Sequence, residues 1–435
     1  MTPVIKLLLR TRGPILTLRE PYHAPKRQEA LCDLNIIFGG FVGIDTESGK
    51  INYLSQHPPE KSLVNGRCVE VDAGSRVIMP GFVDCHNHLL WAGSRAHEFF
   101  ARCKGATYHE IAKAGGGIAY TRKKTLDATE AELFEIGRRH LRLLADHGVT
   151  TVEAKSGYAL TREGELRTLR AFARLQDEFA GTIVPTYLGG HLIPPEFAAS
   201  RDEYIGGVIQ TLPAIRQEGL AEFCDVFVDP LALTKEEGRR ILLAAKEHGF
   251  LLKLHADEFG DDGTSALGVE LGATSVDHLA GIGSESIRKV AESGTIAVLL
   301  PATMFFTQTA LDAPVRELID AGAAVALATD LNPGSSLVFD PSFVMTLAGL
   351  RLGMACDEAI NAHIKNAAFA IGRGYTKGSL APGMDADVVI LDTGDYRELG
   401  YYIGADNVDT VIARGRFLKR DGCLTGGLTG EAVLG

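Results

Sequence analysis

The sequence predicts an α/β fold, a (β/α)8 TIM barrel joined to a small β-sandwich domain formed from both chain ends. Three observations carry that reading. Apolar β-type runs alternate with charged segments of 3.6-residue period through the middle of the chain, and there are eight such runs. The two ends instead show short alternating runs separated by turn residues. The length also fits: 435 residues leave room for a barrel of about 250 residues and an accessory domain.

The strand candidates, in order, are 82–88, 150–155, 183–188, 223–228, 251–255, 274–278, 295–300 and 324–329. Helical patterns lie between most of them, as in TREGELRTLRAFARLQDEF and KEEGRRILLAAKEHG. A doubly wound open sheet is the rival architecture, but no glycine-rich phosphate loop follows the first strand. Before Val77 the runs IKLLL, LNIIFGGFVGI and KINYL read as strands, and after Thr376 ADVVILD and VDTVIARGRFLKRDG repeat that character. Neither end alone can bury a stable core, so the two pair into one domain. The expected division is 1–76 with 377–435 for the β-rich domain and 77–376 for the barrel. Internal repeats and low-complexity tracts are lacking.

Composition excludes several classes of function. With 46% hydrophobic and 23% charged residues, the chain is a globular protein. Its net charge of −11 disfavours nucleic acid, and the densest basic cluster, Arg122-Lys123-Lys124, is too short to reverse that. Arg10, Arg12 and Pro14 interrupt the first apolar run, which reads as a strand pair better than as a signal peptide. No run approaches the ~20 apolar residues of a membrane span. The seven cysteines are scattered, odd in number and never form CxxC, which points to reduced thiols in the cytoplasm.

The sharpest chemical signal is His86-Asn87-His88 at the end of the first barrel strand. Alternate strand residues share a face, and barrel active sites lie at the strands' C-terminal ends, so both imidazoles can aim at the mouth. His255 ends the fifth strand with Glu258 three residues on, His278 ends the sixth, and Asp330 ends the eighth. Any one of these alone reads as a buried histidine or a helix cap. Together they offer a borderline-soft metal three nitrogens and a carboxylate, a set that lowers the pKa of a held water towards neutrality. His191 closes the third strand and faces the same mouth. His140, His147, His248 and His363 fall in helical stretches and read as surface or packing residues. His97 and His109 lie in the long segment after the first strand and read as solvated. The fourth strand ends CDVFVDP, without the lysine that could bridge two metals, and Lys155 reads as half of an ion pair, so one metal is expected.

These residues resemble the amidohydrolase superfamily and, within it, the imidazolonepropionase family. The matching stretches are PGFVDCHNH, Ala92-Gly93-Ser94-Arg95, GATYHEIAKAGGGI, EAKSGYAL, TYLGGHLIPPEF, LKLHADEF, SVDHL, RELIDAGAAVALATDLNPGSS and GSLAPGMDADVVILD. They reach from Val77 to Asp392, and GSRAHEF, EAKSGY and NPGSS are the most specific among them. The resemblance implies that His86, His88, His255 and Asp330 hold one Zn2+ or Fe3+ per chain. It implies that Arg95 holds a propionate, that Tyr158 and His191 contact the substrate, and that Glu258 and His278 flank the reacting water. Asn332, Gly334 and Ser335 form the loop at the substrate's far end. The implied reaction opens the ring of 4-imidazolone-5-propanoate to N-formimidoyl-L-glutamate in histidine degradation, carried out by a homodimer with no nucleic-acid or membrane partner. His278 is the favoured base because its ordinary pKa is near neutrality, although the roles of His278 and Glu258 can be exchanged. Two departures touch the pocket wall: Gly190 and Leu192 flank His191 where the family is more alanine-like, and Val228-Asp229 replaces Cys-Glu. Two alternatives stand beside this reading, an aromatic-ring deaminase of the cytosine or guanine type and a non-catalytic relative. Arg95 as a mere packing partner of Glu98 is the bland reading of that residue.

Overall fold

A computed structural model describes residues 4–19, 23–64, 67–106, 110, 115–230 and 232–432. His109 and half of GATYHEIAKAGGGI therefore lie outside the described residues. The eight barrel strands are Phe82–Asp84, Val149–Lys155, Thr182–Gly190, Phe223–Phe227, Leu251–Ala256, Ser275–His278, Ile296–Leu299 and Val325–Leu327. Each is parallel to its sequence neighbour in one eight-stranded sheet.

Helices form where the sequence caps them. Thr129 and Glu132 make a reciprocal capping box at the start of Glu130–Asp146, and Thr234 with Glu237 repeats it at Lys235–Glu247. Thr161 accepts from the Gly164 amide to start Arg162–Glu178. Their apolar faces pack on the outward strand residues, for example Leu169, Phe172 and Leu175 with Val152 and Ala154. Inward-facing Val83, Cys85, Val184, Val298 and Ala326 form a separate core with Ala367, Ala368 and Ile371. The helix Ala367–Ala370, which follows the π-helical turn Ala362–Asn366, thus packs against the inward-facing strand residues.

The chain ends supply one nine-stranded sheet rather than two separate ones. Its order runs Cys423–Leu424, Arg416–Arg420, Val408–Ala413, Val388–Leu391, Ile78–Pro80, Leu7–Leu16, Ile36–Asp45, Lys50–Ser55, with Val69–Asp72 paired to Leu7–Leu16. Leu7–Leu16 shifts register between Thr11 and Pro14, which lets it pair with two further strands in succession. The sheet curls on itself: a methyl on Gly415 would lie 3.2 Å from Thr46 Cα, although their hairpins lie far apart in the strand order. Leu7, Leu9, Ile44, Ile51, Val388, Ile390, Ile412 and Phe417 fill the space enclosed. Strand Ile78–Pro80 runs almost directly into the first barrel strand, so the sheet anchors the chain just before the site begins.

Candidate metal centre and substrate pocket

The barrel closes through the backbone of the residues that carry its chemistry. The Asp330 amide donates to the His86 carbonyl at 3.0 Å, and the His88 amide donates to the Leu331 carbonyl at 2.9 Å. Beneath them the buried Asp84 carboxylate accepts from Asn87 Nδ2 (2.7 Å), Thr329 N (3.0 Å) and Thr329 Oγ1 (2.6 Å). Burial pushes the Asp84 carboxyl up to about 6. First and last strands are thus pinned where His86, His88 and Asp330 emerge.

The first strand ends at Asp84, earlier than the sequence pattern suggests, and the chain bends at His86. Val83 and Cys85 face inward, so unbroken alternation would send His86 and His88 outward. The bend changes the phase, and the two rings converge with centroids 5.5 Å apart.

Four ligand-type atoms meet at the mouth. Asp330 Oδ1 lies 3.5 Å from His86 Nε2 and 3.6 Å from His88 Nε2, while His255 Nε2 lies 3.4 Å from His88 Nε2. Ligands roughly 2.0–2.2 Å from one ion sit about 3.3–3.6 Å from one another, so these three spacings suit neighbouring ligands. His86 is shared by two groups, one with His88 and His255 and one with His278 and Asp330. All four residues are buried, and His86 Nε2 and Asp330 Oδ1 have no hydrogen-bond partner. Unpartnered acceptors facing one another are costly unless a cation joins them. Burial first, then neighbouring cationic groups, hold His86 and His88 well below the usual imidazole range, in the neutral form that binds metal. Asp330 is pushed up to about 6 by burial and is steadied by Thr303, whose hydroxyl donates to Oδ2 at 2.5 Å.

His278 and Glu258 stand beside this set. One ring nitrogen of His278 lies within 4.8 Å of the ligand atoms of His86 and Asp330, and His278 Nδ1 is 3.7 Å from Glu258 Oε1. The inward residue of the sixth strand is Asp277, which reaches His86, so His278 should point outward. A φ of +83° turns its ring back to the mouth. Asp330 (φ +49°) and Asp257 (φ +48°), beside Glu258, are also left-handed, a conformation that costs non-glycine residues about 1–3 kcal/mol and gathers at functional sites. Burial, followed by the charges of Asp330 and Asp229, raises Glu258 well above the usual carboxylate range. Burial also lowers His278 well below the imidazole range. Burial thus moves the two groups in opposite directions. Asp229 belongs to the Val228-Asp229 departure noted in the sequence.

Tyr158 and His191 form the next wall. The His191 ring stacks 5.3 Å from His88, and Tyr158 lies 5.6 Å from His88 and 5.4 Å from His191. His191 Nδ1 meets the Gly157 carbonyl at 2.9 Å, and burial lowers its pKa to about 4. Glu165 fixes the Tyr158 loop by accepting from the amides of Gly157 (2.7 Å), Ala159 (3.0 Å) and Leu160 (2.8 Å). Gly157 has φ +108°, and a Cβ there would lie 2.8 Å from the Leu188 carbonyl oxygen. At Gly190 an added methyl would come within 3.0–3.2 Å of Val226, Leu233 and Ile241, so this position faces the core behind the pocket and the smaller residue suits its packing.

Arg95 precedes the helix Ala96–Cys103, with Nε donating to Glu98 Oε2 at 2.8 Å. Buried Glu98 also accepts from the Gly117 amide at 2.9 Å. A methyl on Gly334 would lie 2.7 Å from Arg95 Nη1, and Arg102 Nη2 donates to the Gly334 carbonyl at 2.9 Å. Asn332 Oδ1 accepts from the amides of Gly334 and Ser335, both at 2.8 Å, and its Nδ2 donates to the Asp330 carbonyl at 2.7 Å. Its side chain thus builds the turn that sets Gly334 and Ser335 against Arg95.

Four further histidines lie away from the mouth: His140 packs on Trp91 at 4.5 Å, His147 and His248 follow helix ends, and His363 is buried beside Phe82. Lys155 is an ion-pair partner, bonded to Glu153 and Asp225. The sequence reading missed Asp225, Lys253, Asp277, Thr303 and Glu165. Charged residues at inward positions of otherwise apolar strands were the available signal for the first three.

A parallel barrel that gathers three imidazoles and a carboxylate at the C-terminal ends of its strands belongs to the class of metal-dependent hydrolases. The profile of the amidohydrolase family matches residues 77–418. The imidazolonepropionase of Geobacillus thermodenitrificans is 44% identical over 423 residues, covering 96% of this chain and 98% of that protein. Those of Symbiobacterium thermophilum and Bacillus velezensis are 42% and 39% identical, over 97% and 98% of this chain and 99% and 100% of theirs. Among solved structures, a mutant of the atrazine chlorohydrolase of Arthrobacter aurescens, complexed with zinc and atraton, superposes with TM-score 0.66 at 16% identity, covering 97% of both chains. The guanine deaminase of E. coli gives 0.66 at 14% identity, covering 95% of this chain and 99% of that one. At such identities the structures share the fold alone. The chain belongs to the amidohydrolase family and, within it, to the imidazolonepropionases. It is a hydrolase. Among the described residues no helix is long and apolar enough to cross a membrane.

Proposed function

We propose that this enzyme hydrolyses 4-imidazolone-5-propanoate to N-formimidoyl-L-glutamate, a step of histidine degradation. The observation that carries the reading is full-length similarity to imidazolonepropionases, 44% identity over 96% of this chain and 98% of the relative. We assign His86, His88, His255 and Asp330 to one Zn2+ or Fe3+ per chain, supported by the spacings of their converging atoms and by the unpartnered His86 Nε2 and Asp330 Oδ1. Such an ion supplies Lewis acidity and a water of lowered pKa.

The side chains do the rest. Arg95 holds the propionate through the guanidinium nitrogens that Glu98 leaves unused, and the turn of Asn332, Gly334 and Ser335 borders that end. Tyr158 and His191 face the ring and exclude bulk water. His278 takes a proton from the attacking water as its oxygen bonds to the ring carbonyl carbon. Glu258 delivers a proton to the ring nitrogen as the C–N bond breaks, and the former carbonyl carbon leaves as a carboxylate. We place the enzyme in the cytoplasm, on the strength of seven free thiols, and expect a homodimer.

Incubation with freshly prepared imidazolone propionate, followed by ring absorbance, should show rapid loss and one formimidoylglutamate per substrate. An inert mixture, or ammonia released instead from an aminated purine or pyrimidine, would replace this reading with the deaminase one. Metal content gives a second check. Lys155 is committed to Glu153 and Asp225, and the fourth strand offers no bridging lysine, so elemental analysis should find close to one equivalent per chain. Two equivalents surviving dialysis would refute the mononuclear assignment.

A further inference from the structure

We propose that Asp277 and Asp225 are positioning residues for the metal-holding histidines, fixing His86 and His255 with Nε2 turned towards the ion. The inference rests on the assignment of those histidines as ligands. Directly beneath the mouth, strands that are otherwise apolar turn five charged side chains inward: Glu153, Lys155, Asp225, Lys253 and Asp277, each 0% exposed. Burial of ions on this scale is tolerated only where each is paired and hydrogen-bonded.

The pairing ends on the two imidazoles. Asp277 Oδ2 lies 2.6 Å from His86 Nδ1, and its Oδ1 accepts from Ser275 Oγ at 2.6 Å. Asp225 Oδ2 lies 3.1 Å from His255 Nδ1. A carboxylate can only accept, so His86 carries its proton on Nδ1 and its lone pair on Nε2, and Asp225 favours the same tautomer at His255 through its charge beside Nδ1. The freed Nε2 of His86 and that of His255 are among the atoms that converge on Asp330 and His88.

Lys155 serves both carboxylates, with Nζ 2.6 Å from Asp225 Oδ2 and 3.8 Å from Asp277 Oδ2. Lys253 donates to the Cys85 carbonyl at 2.8 Å, next to His86, and lies 3.0 Å from Glu153 and 3.5 Å from Asp277. Glu153 binds both ammonium groups and receives the Thr186 hydroxyl at 2.6 Å. The layer is thus a closed set of three carboxylates and two ammonium ions. A layer that served packing alone would have no reason to direct one carboxylate oxygen at each of two neighbouring imidazoles. A carboxylate behind a ligating histidine fixes its tautomer and raises its basicity towards a cation.

The test is Zn2+ affinity, measured on the full chain after metal removal by competition with a chromophoric chelator. Asp277→Asn and Asp225→Asn are each expected to weaken Zn2+ binding on the order of 10- to 100-fold, with the circular dichroism of the metal-free protein unchanged. The Co2+-loaded variants should also show a shifted visible spectrum, because the ligand field of the histidine changes. Parent-like Zn2+ affinity in both variants overturns the proposal. A parent chain that binds no Zn2+ refutes the ligand assignment itself, and the inference with it. If the asparagine variants do not fold, Ser275→Ala, which removes only the hydroxyl steadying Asp277, should weaken binding about threefold. An unchanged value there overturns the role of Asp277.

Discussion

Replacing His278 by alanine, or Glu258 by glutamine, is expected to lower turnover by about two orders of magnitude or more, as for positioned acid–base groups. Metal content should stay at the parent's value in both variants. The expectation follows from geometry and environment together. His278 stands at the edge of the ligand set and Glu258 Oε1 is 3.7 Å from its Nδ1, so the two groups stand side by side next to that set. Their pKa values are driven apart, Glu258 upward and His278 downward, chiefly by burial. Glutamine keeps the size and hydrogen bonding of Glu258 while removing its proton, so a loss in that variant isolates proton transfer. If either substitution empties the site, the residue is a ligand and the set of four is wrong.

The same pair shows where the sequence was legible. Eight apolar runs with intervening helices were enough to expect a parallel barrel, because a buried parallel strand has almost no choice but to be apolar. The histidines and Asp330 were found because barrels put chemistry at strand ends. The backbone that aims them was not legible. His86 and His88 converge because the chain bends after Asp84, and His278 turns inward through a φ of +83°. Strict alternation would have sent all three outward. The charged layer was half visible: Lys155 read as an ion-pair residue, yet Asp225 and Asp277 acquire their partners only when separate strands come side by side. Thr303 lies in the helix Pro301–Thr307 after the seventh strand, the one region of the mouth without a charged or histidine marker, so its bond to Asp330 had no signature.

Arg95→Met should raise KM for imidazolone propionate steeply, by roughly 10- to 100-fold or more, the loss of charge-assisted hydrogen bonds worth about 1.5–3 kcal/mol each. A planar guanidinium matches a carboxylate, and a chain of net charge −11 needs a local cation to hold an anionic substrate. The structure contains the competing explanation as well, since Arg95 Nε is bonded to Glu98 and could serve only to brace its helix. Two features separate the explanations. Glu98 engages one edge of the guanidinium, and Arg95 Nη1 meets the backbone at Gly334, where even a methyl group would intrude at 2.7 Å. Arg102 donates to the Gly334 carbonyl at 2.9 Å and so keeps a bond to that turn in the Arg95 variant. Methionine keeps much of the bulk and none of the charge, so the helix should stay in place and metal content should not change. A neutral ring analogue lacking the propionate should be turned over no worse by the variant than by the parent. Equal impairment on both substrates would make Arg95 a brace, and normal handling of the propionate substrate would return weight to the deaminase reading.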